Sequence, residues 1–336
     1  MRPGKVPPDI LKSLIFTHLG KTDSDLLLGP RIGEDASLIQ IGNQVLIAAT
    51  DPITGSIEDV GWLSVHINAN DIATFGIRPR WFLASILLPE NCTEATLQTI
   101  IEQIDEAAKA LGIAVAGGHT EVTAGLTRPI IAGFMLGITE TGRYVTSSGA
   151  TPGDHIILTK SAAIEGTAIL ATEGADLLSE RIHTDLLRTA QSFRNKISVV
   201  TDGVVAFETG HITAMHDPTE GGLAGGIHEI CDASNVGCMI QMEAIPVHQV
   251  TSMICEILEI NVLELISSGC MLITCGPDMS SEVIEALTTE GVEAAVIGEI
   301  VTNVEERVLV SADGAVSLPR PTTDAIWAAL DRITRK

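Results

Sequence analysis

The hydrophobic residues of this 336-residue chain change period several times, and that limits the folds open to it more than any other feature. Between residues 28 and 51, "ASLIQI" and "QVLIAAT" read as strands joined by Gly42-Asn43. A two-residue link of this kind favours a hairpin because both positions tolerate positive φ. Further on, Leu97, Ile100, Ile101, Ile104, Ala108 and Leu111 recur at spacings of three, four and seven, which lays one apolar stripe along a helix. Thr93 stands where that helix needs a cap, and Gly112 where it must stop.

The same reading extends along the chain. Residues 8–20 predict a short helix closed by Gly20, and "VGWLSVHINANDIATFG" a second helix. "IAVAGGHTEVT" predicts a strand ending in paired glycines, and "RPIIAGFMLGITE" another strand. Ser, Gly and Pro cluster in "SSGATPGDHIILTK", marking a boundary near residue 150. Beyond it the strands "HIILTK", "CMLITC" and "AAVIGEIV" alternate with helical segments, Asp313-Gly314 turns a second hairpin, and "PTTDAIWAALDRITRK" predicts a closing helix. Such a mixture implies an α+β fold rather than strict βαβ alternation. Length alone supports two domains, expected at 1–150 and 151–336.

Charge then narrows the ligands. With 43 acids against 20 bases and a net charge of −23, sequence-independent nucleic-acid binding and adhesion to anionic membranes are disfavoured. A polyanionic ligand must arrive neutralised by a metal or meet a local dipolar pocket. No apolar run approaches the ~18–20 residues of a membrane span, and "MRPGKVPPDILKSLIF" lacks a leader pattern, so a cytoplasmic chain is expected. The six cysteines form no CxxC pair and mostly lie in apolar runs, which predicts buried, reduced thiols.

Chemistry concentrates at turns. "GEDA" (33–36), "TDP" (50–52), "NDIA" (70–73) and "GGHTE" (117–121) each fall where one expected element meets another. The 42–43 hairpin brings Asp35 and Asp51 together, and carboxylates converging at strand ends are the hard oxygen donors that Mg²⁺ prefers. A single such Asp is more often a cap or turn residue; the set of four favours a site. His119 reads as a metal ligand, a phosphate donor, a general acid or base, or a satisfied polar group. Lys160 in "LTKS" and Glu165 in "AAIEG" are cleft candidates with equally ordinary structural alternatives. "HDPTEGGLAGG" (216–226) sets Asp217 and Glu220 beside a glycine-dense helix start, where acids would repel an anion unless a cation stood between.

"GEDA", "TDP", "NDIATFGIRP", "AGGHTEVT" and "DPTEGGL", in that order, resemble the AIR synthase superfamily, with its HypE branch nearest and thiamine-monophosphate kinase and selenophosphate synthetase more distant. The resemblance implies a PurM-like two-domain fold. Its N-terminal domain forms a dimeric β-barrel flanked by helices, its C-terminal domain an α/β sandwich, and the protein is a homodimer. It implies ATP and Mg²⁺ as cofactors, with Asp35, Asp51 and Asp71 holding metal. Asn70, Gly117, Gly118, Thr120, Asp217, Thr219, Gly221 and Gly222 would bind the nucleotide, and His119, Lys160 and Glu165 are the catalytic candidates. The activity implied is phosphate transfer to an amide or carbonyl oxygen of a small molecule or partner-bound group. The alternatives are a small-molecule kinase and a non-catalytic nucleotide-binding scaffold in metalloenzyme maturation.

The sequence also departs from that pattern. HypE ends in a Pro-Arg-Ile-Cys tail, whereas "LPR" is followed here by "PTTDAIWAALDRITRK", and no cysteine follows Cys275. Modification of the chain's own tail is therefore not expected. Glu220 stands where HypE has arginine in its "TRGG" turn, and the N-terminal reactive residue of selenophosphate synthetase has no counterpart.

Overall fold

The computed structural model describes residues 4–54 and 59–335. The chain divides into two compact units. An N-terminal unit holds Asp23–Pro30 and Asp35–Tyr144; a C-terminal unit holds Arg31–Glu34 and Val145–Lys336 together with the segment up to Thr22. The helix expected over residues 8–20 is shorter, as α1 (Pro8–Ile10) passes into a π-helical turn, Leu11–Ile15. The Ser13 and Thr17 hydroxyls donate back to the carbonyls of Asp9 and Ser13, which competes with the helical ladder.

The N-terminal unit runs β1 (Leu26–Leu28), β2 (Ser37–Ile41), β3 (Gln44–Ile53), α2 (Val60–Ala73), β4 (Pro79–Leu88), α3 (Glu94–Leu111), β5 (Ala114–Val122) and β6 (Ile130–Glu140). Its sheet has the order β1-β2-β3-β6-β4-β5, antiparallel except for the parallel β4/β5 pair. The expected hairpin forms, with Ile41 opposite Gln44 and Gly42 at φ 62°. Thr93 caps α3 by accepting the Thr96 N–H at 3.1 Å, Gly112 ends it at φ 69°, and the buried stripe is Ile100, Ile104, Ala107 and Ala108. Every residue of α2 except Trp62 is buried, so its polar side chains lie inside the protein, where they need partners.

Two expected turns prove to be regular structure. Asn70 and Asp71 lie in the last turn of α2 rather than between elements. Gly117 and Gly118 lie in the middle of β5, which continues through His119 to Val122. The strand passes because a Cβ on Gly118 would stand 2.2 Å from the Ala84 carbonyl oxygen of β4. Glycine here permits close parallel pairing instead of a bend.

The C-terminal unit comprises β7 (His155–Thr159), α4 (Ile164–Glu173), α5 (Ala175–Ser179), α6 (Thr184–Ser192), α7 (Val200–Glu208), β8 (Ile212–His216), α8 (Gly222–Ser234), β9 (Gly237–Gln241), α9 (Gln249–Ile257), β10 (Leu272–Cys275), α10 (Ser280–Thr289), β11 (Ala294–Val301), β12 (Arg307–Ser311), β13 (Gly314–Ser317) and α11 (Ala325–Thr334). Its sheet order is β13-β12-β9-β11-β7-β10-β8. One apolar cluster joins α8 to the sheet through Leu223, Ile227, Ile230 and Ile240. A second is built on α4, α6, α9 and α11 from Leu170, Leu187, Ile254 and Ile326. All six cysteines are free, five of them buried, and no described helix is long and apolar enough to cross a membrane.

Candidate functional site

In the N-terminal unit the acids are organised from the backbone outward. The Asn68 side chain of α2 clasps Asp51 in β3: its Oδ1 accepts the Asp51 N–H at 2.8 Å, and its Nδ2 donates to the Asp51 carbonyl at 3.1 Å and to Ser64 O at 2.8 Å. Opposite Asp51, β6 supplies Gly133, where a Cβ would stand 2.3 Å from Asn68 Nδ2; the glycine makes room for the clasp. Asp71 lies one turn further along α2, only 6% exposed, and its carbonyl accepts the Thr74 hydroxyl at 2.7 Å. Asn70 is fully buried. Pairing of Ser37 with Ala48 sets the hairpin register, and Asp35 lies two residues before the first paired position of β2.

Along β5, Gly117, Gly118, His119 and Thr120 line a groove of about 370 Å³ with Ala84, Ile86 and α3 residues Ile101, Ile104 and Asp105. The His119 side chain is largely exposed, with Nε2 3.1 Å from Glu121 Oε2. Hydrogen bonds from Thr123 and then His119 hold the Glu121 carboxyl below its usual range.

The C-terminal unit gathers the remaining candidates around two tight backbones. Lys160 and Ala163, just after β7, adopt φ of 54° and 60°, a left-handed conformation that non-glycine residues keep only when surroundings hold it. Lys160 is held by its own ammonium, which donates to Ser198 O at 2.7 Å and pairs with the buried Asp202 at 2.9 Å. Thr159 Oγ1 completes the lock by donating to Asp202 at 2.6 Å. Glu165 lies in the first turn of α4, buried, with Oε2 lacking a hydrogen-bond partner. Burial, with Asp324 and Glu220 adding like charge, lifts its carboxyl to about 7.

Asp217 follows β8 and is 1% exposed. Beside it, His216 Nε2 lies 2.9 Å from Glu229 Oε2. The Thr219 carbonyl accepts the N–H groups of Gly222 at 3.0 Å and Ser267 at 3.3 Å, and Glu220 accepts the Lys5 N–H at 2.6 Å. Gly221 and Gly222 have φ of 90° and 65°. At Gly222 a Cβ would stand 2.6 Å from the Leu263 and Leu265 carbonyl oxygens, so only glycine fits. The Gly221 N–H is bonded to Asp324 at 2.7 Å.

The candidates are thus divided between the units: Asp35, Asp51, Asn70, Asp71 and the 117–120 strand segment belong to one, Lys160, Glu165 and the 217–222 turn to the other. Sequence reasoning missed Asn68, Asp202 and Asp324. Asn68 precedes Asp71 by three residues on one helix, a spacing that signals a shared face. "TTDAIW" signals a cap at Asp324, but nothing local announces its bonds to residues 58 and 103 positions away.

Two mixed α/β units with buried acids at strand and helix ends define a recognisable class. The AIR synthase related protein family matches through its N-terminal domain at residues 33–139 and its C-terminal domain at residues 151–311, and the chain belongs to that family. Within it the chain is HypE-like. The carbamoyl dehydratase HypE of Azotobacter vinelandii is 30% identical over 250 residues, covering 73% of this chain and 70% of that protein. A hydrogenase expression/formation protein of Methanocaldococcus jannaschii is 28% identical over 303 residues, 88% of each chain. A crystal structure of hydrogenase maturation protein HypE in complex with ATP shares the fold at TM-score 0.70 and 22% identity, covering 96% of this chain and 97% of that one.

Proposed function

We propose that the chain is an ATP- and Mg²⁺-dependent enzyme that transfers phosphate to an amide or carbonyl oxygen of a small molecule or a partner-bound group. The observation that carries this reading is the Asn68 clasp. It fixes the Asp51 backbone between two hydrogen bonds, beside a helix that also carries Asp71. A buried amide committed to orienting one aspartate fixes position, which phosphoryl transfer depends on. The donor set fits the metal: Asp35, Asp51 and Asp71 offer only hard carboxylate oxygens, which suit Mg²⁺. When bound there, the ion neutralises phosphate charge, which reconciles the acids with a nucleotide in a chain of net charge −23. Support comes also from the relative named carbamoyl dehydratase and the fold shared with an ATP-bound HypE.

On this reading Asn70, Gly117, Gly118 and Thr120 with the 217–222 turn bind the nucleotide, and His119, Lys160 and Glu165 serve the transfer. A homodimer is part of the proposal. Strand β5 is the sheet edge and exposed along its length, Val115 and Val122 included, and an uncovered apolar edge invites pairing with a second copy. The first test is thermal unfolding with ATP plus Mg²⁺, ATP plus EDTA, and Mg²⁺ alone. A ligand at one hundred times its Kd adds about 2.7 kcal/mol to native stability, so a rise is expected only with both components. The rise should vanish in Asp51→Asn. No rise under any condition would remove the nucleotide from the reading and favour a scaffold. ADP formed with the acceptor oxygen retained would favour the kinase alternative.

A further inference from the structure

The C-terminal helix touches the 217–222 turn at several points. Asp324 is the N-cap of α11, and Oδ1 accepts the Ile326 N–H at 2.8 Å. Capping uses only that bond. The same Oδ1 accepts the Ile266 N–H at 3.2 Å, and Oδ2 accepts the Gly221 N–H at 2.7 Å. The side chain is 1% exposed. One carboxylate thus ties together α11, the segment before Ser267 and the glycine turn. Nearby, Trp327 Nε1 donates to Glu220 Oε1 at 3.4 Å, and Pro321 lies 3.7 Å from where a Gly221 Cβ would stand.

Each of these bonds acts on a backbone that could otherwise move. Two successive left-handed glycines make Gly221-Gly222 the most permissive point of the turn. The Gly222 N–H is already committed to the Thr219 carbonyl and the Gly221 N–H to Asp324. Fixing both removes the freedom that glycine brings. The helix that delivers Asp324 is anchored independently: Ile326 and Ala329 are buried in the α4/α6/α9 cluster, Ile333 packs against it near Gly174, and Arg332 donates to the Leu258 and Glu259 carbonyls.

We propose that Asp324 is a positioning residue for the 217–222 turn, and that the C-terminal helix exists in part to hold that turn in its binding conformation. The inference rests on the reading of 217–222 as a nucleotide-binding turn, so its test separates the two. Asp324→Asn is the incisive variant. An amide keeps one oxygen for the two donors on the Oδ1 side and turns an N–H₂ group toward Gly221, so the cap survives and the Gly221 bond is lost. Ile333→Ala is the comparison, since it loosens the same helix without touching the turn.

Hydrogen exchange read on the peptide spanning 217–224 should rise by about tenfold in Asp324→Asn and stay unchanged in Ile333→Ala. The Kd for ATP with Mg²⁺, by titration calorimetry, should weaken about fivefold or more in the first variant alone. Equal exchange in Asp324→Asn and the unaltered chain, or an equal rise in Ile333→Ala, would overturn the proposal. So would raised exchange with unchanged nucleotide affinity, because Asp324 would then be structural only. If the unaltered chain binds no nucleotide, the functional reading fails by itself, and the exchange result alone decides whether Asp324 positions the turn.

Discussion

Replacing Glu165 with Gln should make the protein more stable at alkaline pH and leave it nearly unchanged in acid. The carboxyl is buried at the start of α4 with one oxygen lacking a hydrogen-bond partner. Burial first, then the charges of Asp324 and Glu220, raise it from 4.5 to about 7, against a lowering hydrogen bond from Ser268. At about 1.4 kcal/mol per pH unit, that difference corresponds to about 3 kcal/mol. The sign is set by the direction of the shift. A carboxyl whose folded pKa lies above its unfolded value binds its proton more tightly when folded, so its stabilisation is complete below pH 4.5 and is lost as pH rises through about 7.

Glutamine mimics the protonated acid in shape and cannot ionise. Urea unfolding followed by circular dichroism at pH 5 and pH 8 should therefore show stability falling between the two in the unaltered chain. In Glu165→Gln the fall should be smaller by up to about 3 kcal/mol. A remnant slope is expected, because burial also raises Asp324, to about 6. Parallel losses in both proteins, with equal m values, would refute the reasoning by showing that Glu165 is solvated or paired in the folded chain. A carboxyl half protonated near neutrality is also equipped to give or take a proton, so the same titration bears on its catalytic candidacy.

Lys160→Met should cost about 3–5 kcal/mol by leaving the Asp202 carboxylate, 2% exposed, without its ammonium. The double variant with Asp202→Asn should recover most of it; a urea midpoint for Lys160→Met matching the parent would argue against the buried pair. Gly118→Ala must push β5 off the Ala84 carbonyl, which its Cβ would approach to 2.2 Å. A loss of about 1–3 kcal/mol is expected by thermal unfolding, together with weaker nucleotide stabilisation, and a neutral result would mean that the β4/β5 pair is looser than its register shows. Thr93→Ala removes the α3 cap at Thr96 and should cost about 1 kcal/mol, readable as faster amide exchange in the first turn of that helix.

Legibility in the sequence depends on the range of the interaction. The 42–43 hairpin, the α3 stripe with its cap and stop, and the final helix are legible because their signals lie within a few residues of the structure they specify. The turns expected at 70–73 and 117–121 are regular structure for one shared reason: a polar pair or a glycine pair resembles punctuation even when its cause lies in another strand or helix. Gly118 is glycine because Ala84 lies against it, and Asn70 and Asp71 are buried within a continuous helix. Asn68 orients Asp51 across 17 residues, and an asparagine in an apolar run has no local signature of that job. The carboxylate positions stand out, whereas the groups that aim them do not.

The glycine turn carries the same asymmetry into its electrostatics. Asp217 and Glu220 beside Gly221-Gly222 pose a problem if the turn's amides are pictured as waiting for an anion. Two of those amides are already taken, one by Asp324 and one by the Thr219 carbonyl. The anion nearest to Gly221 is therefore the protein's own. At neutral pH a carboxylate accepting three backbone N–H groups in a buried place is a charge that no ligand needs to supply. The acids around the turn repel one another, and that repulsion adds to burial in raising the carboxyls of Glu165 and Asp324. If the 217–222 turn binds a nucleotide as proposed, the cation that accompanies it would act on this cluster as well, and Mg²⁺ with ATP should then lower the pH at which Glu165 gives up its proton. Infrared difference spectra of the carboxyl band, taken across pH 5 to 9 with and without the nucleotide, would show that displacement. A band unmoved by saturating ligand would mean that the cluster answers only to the fold that built it.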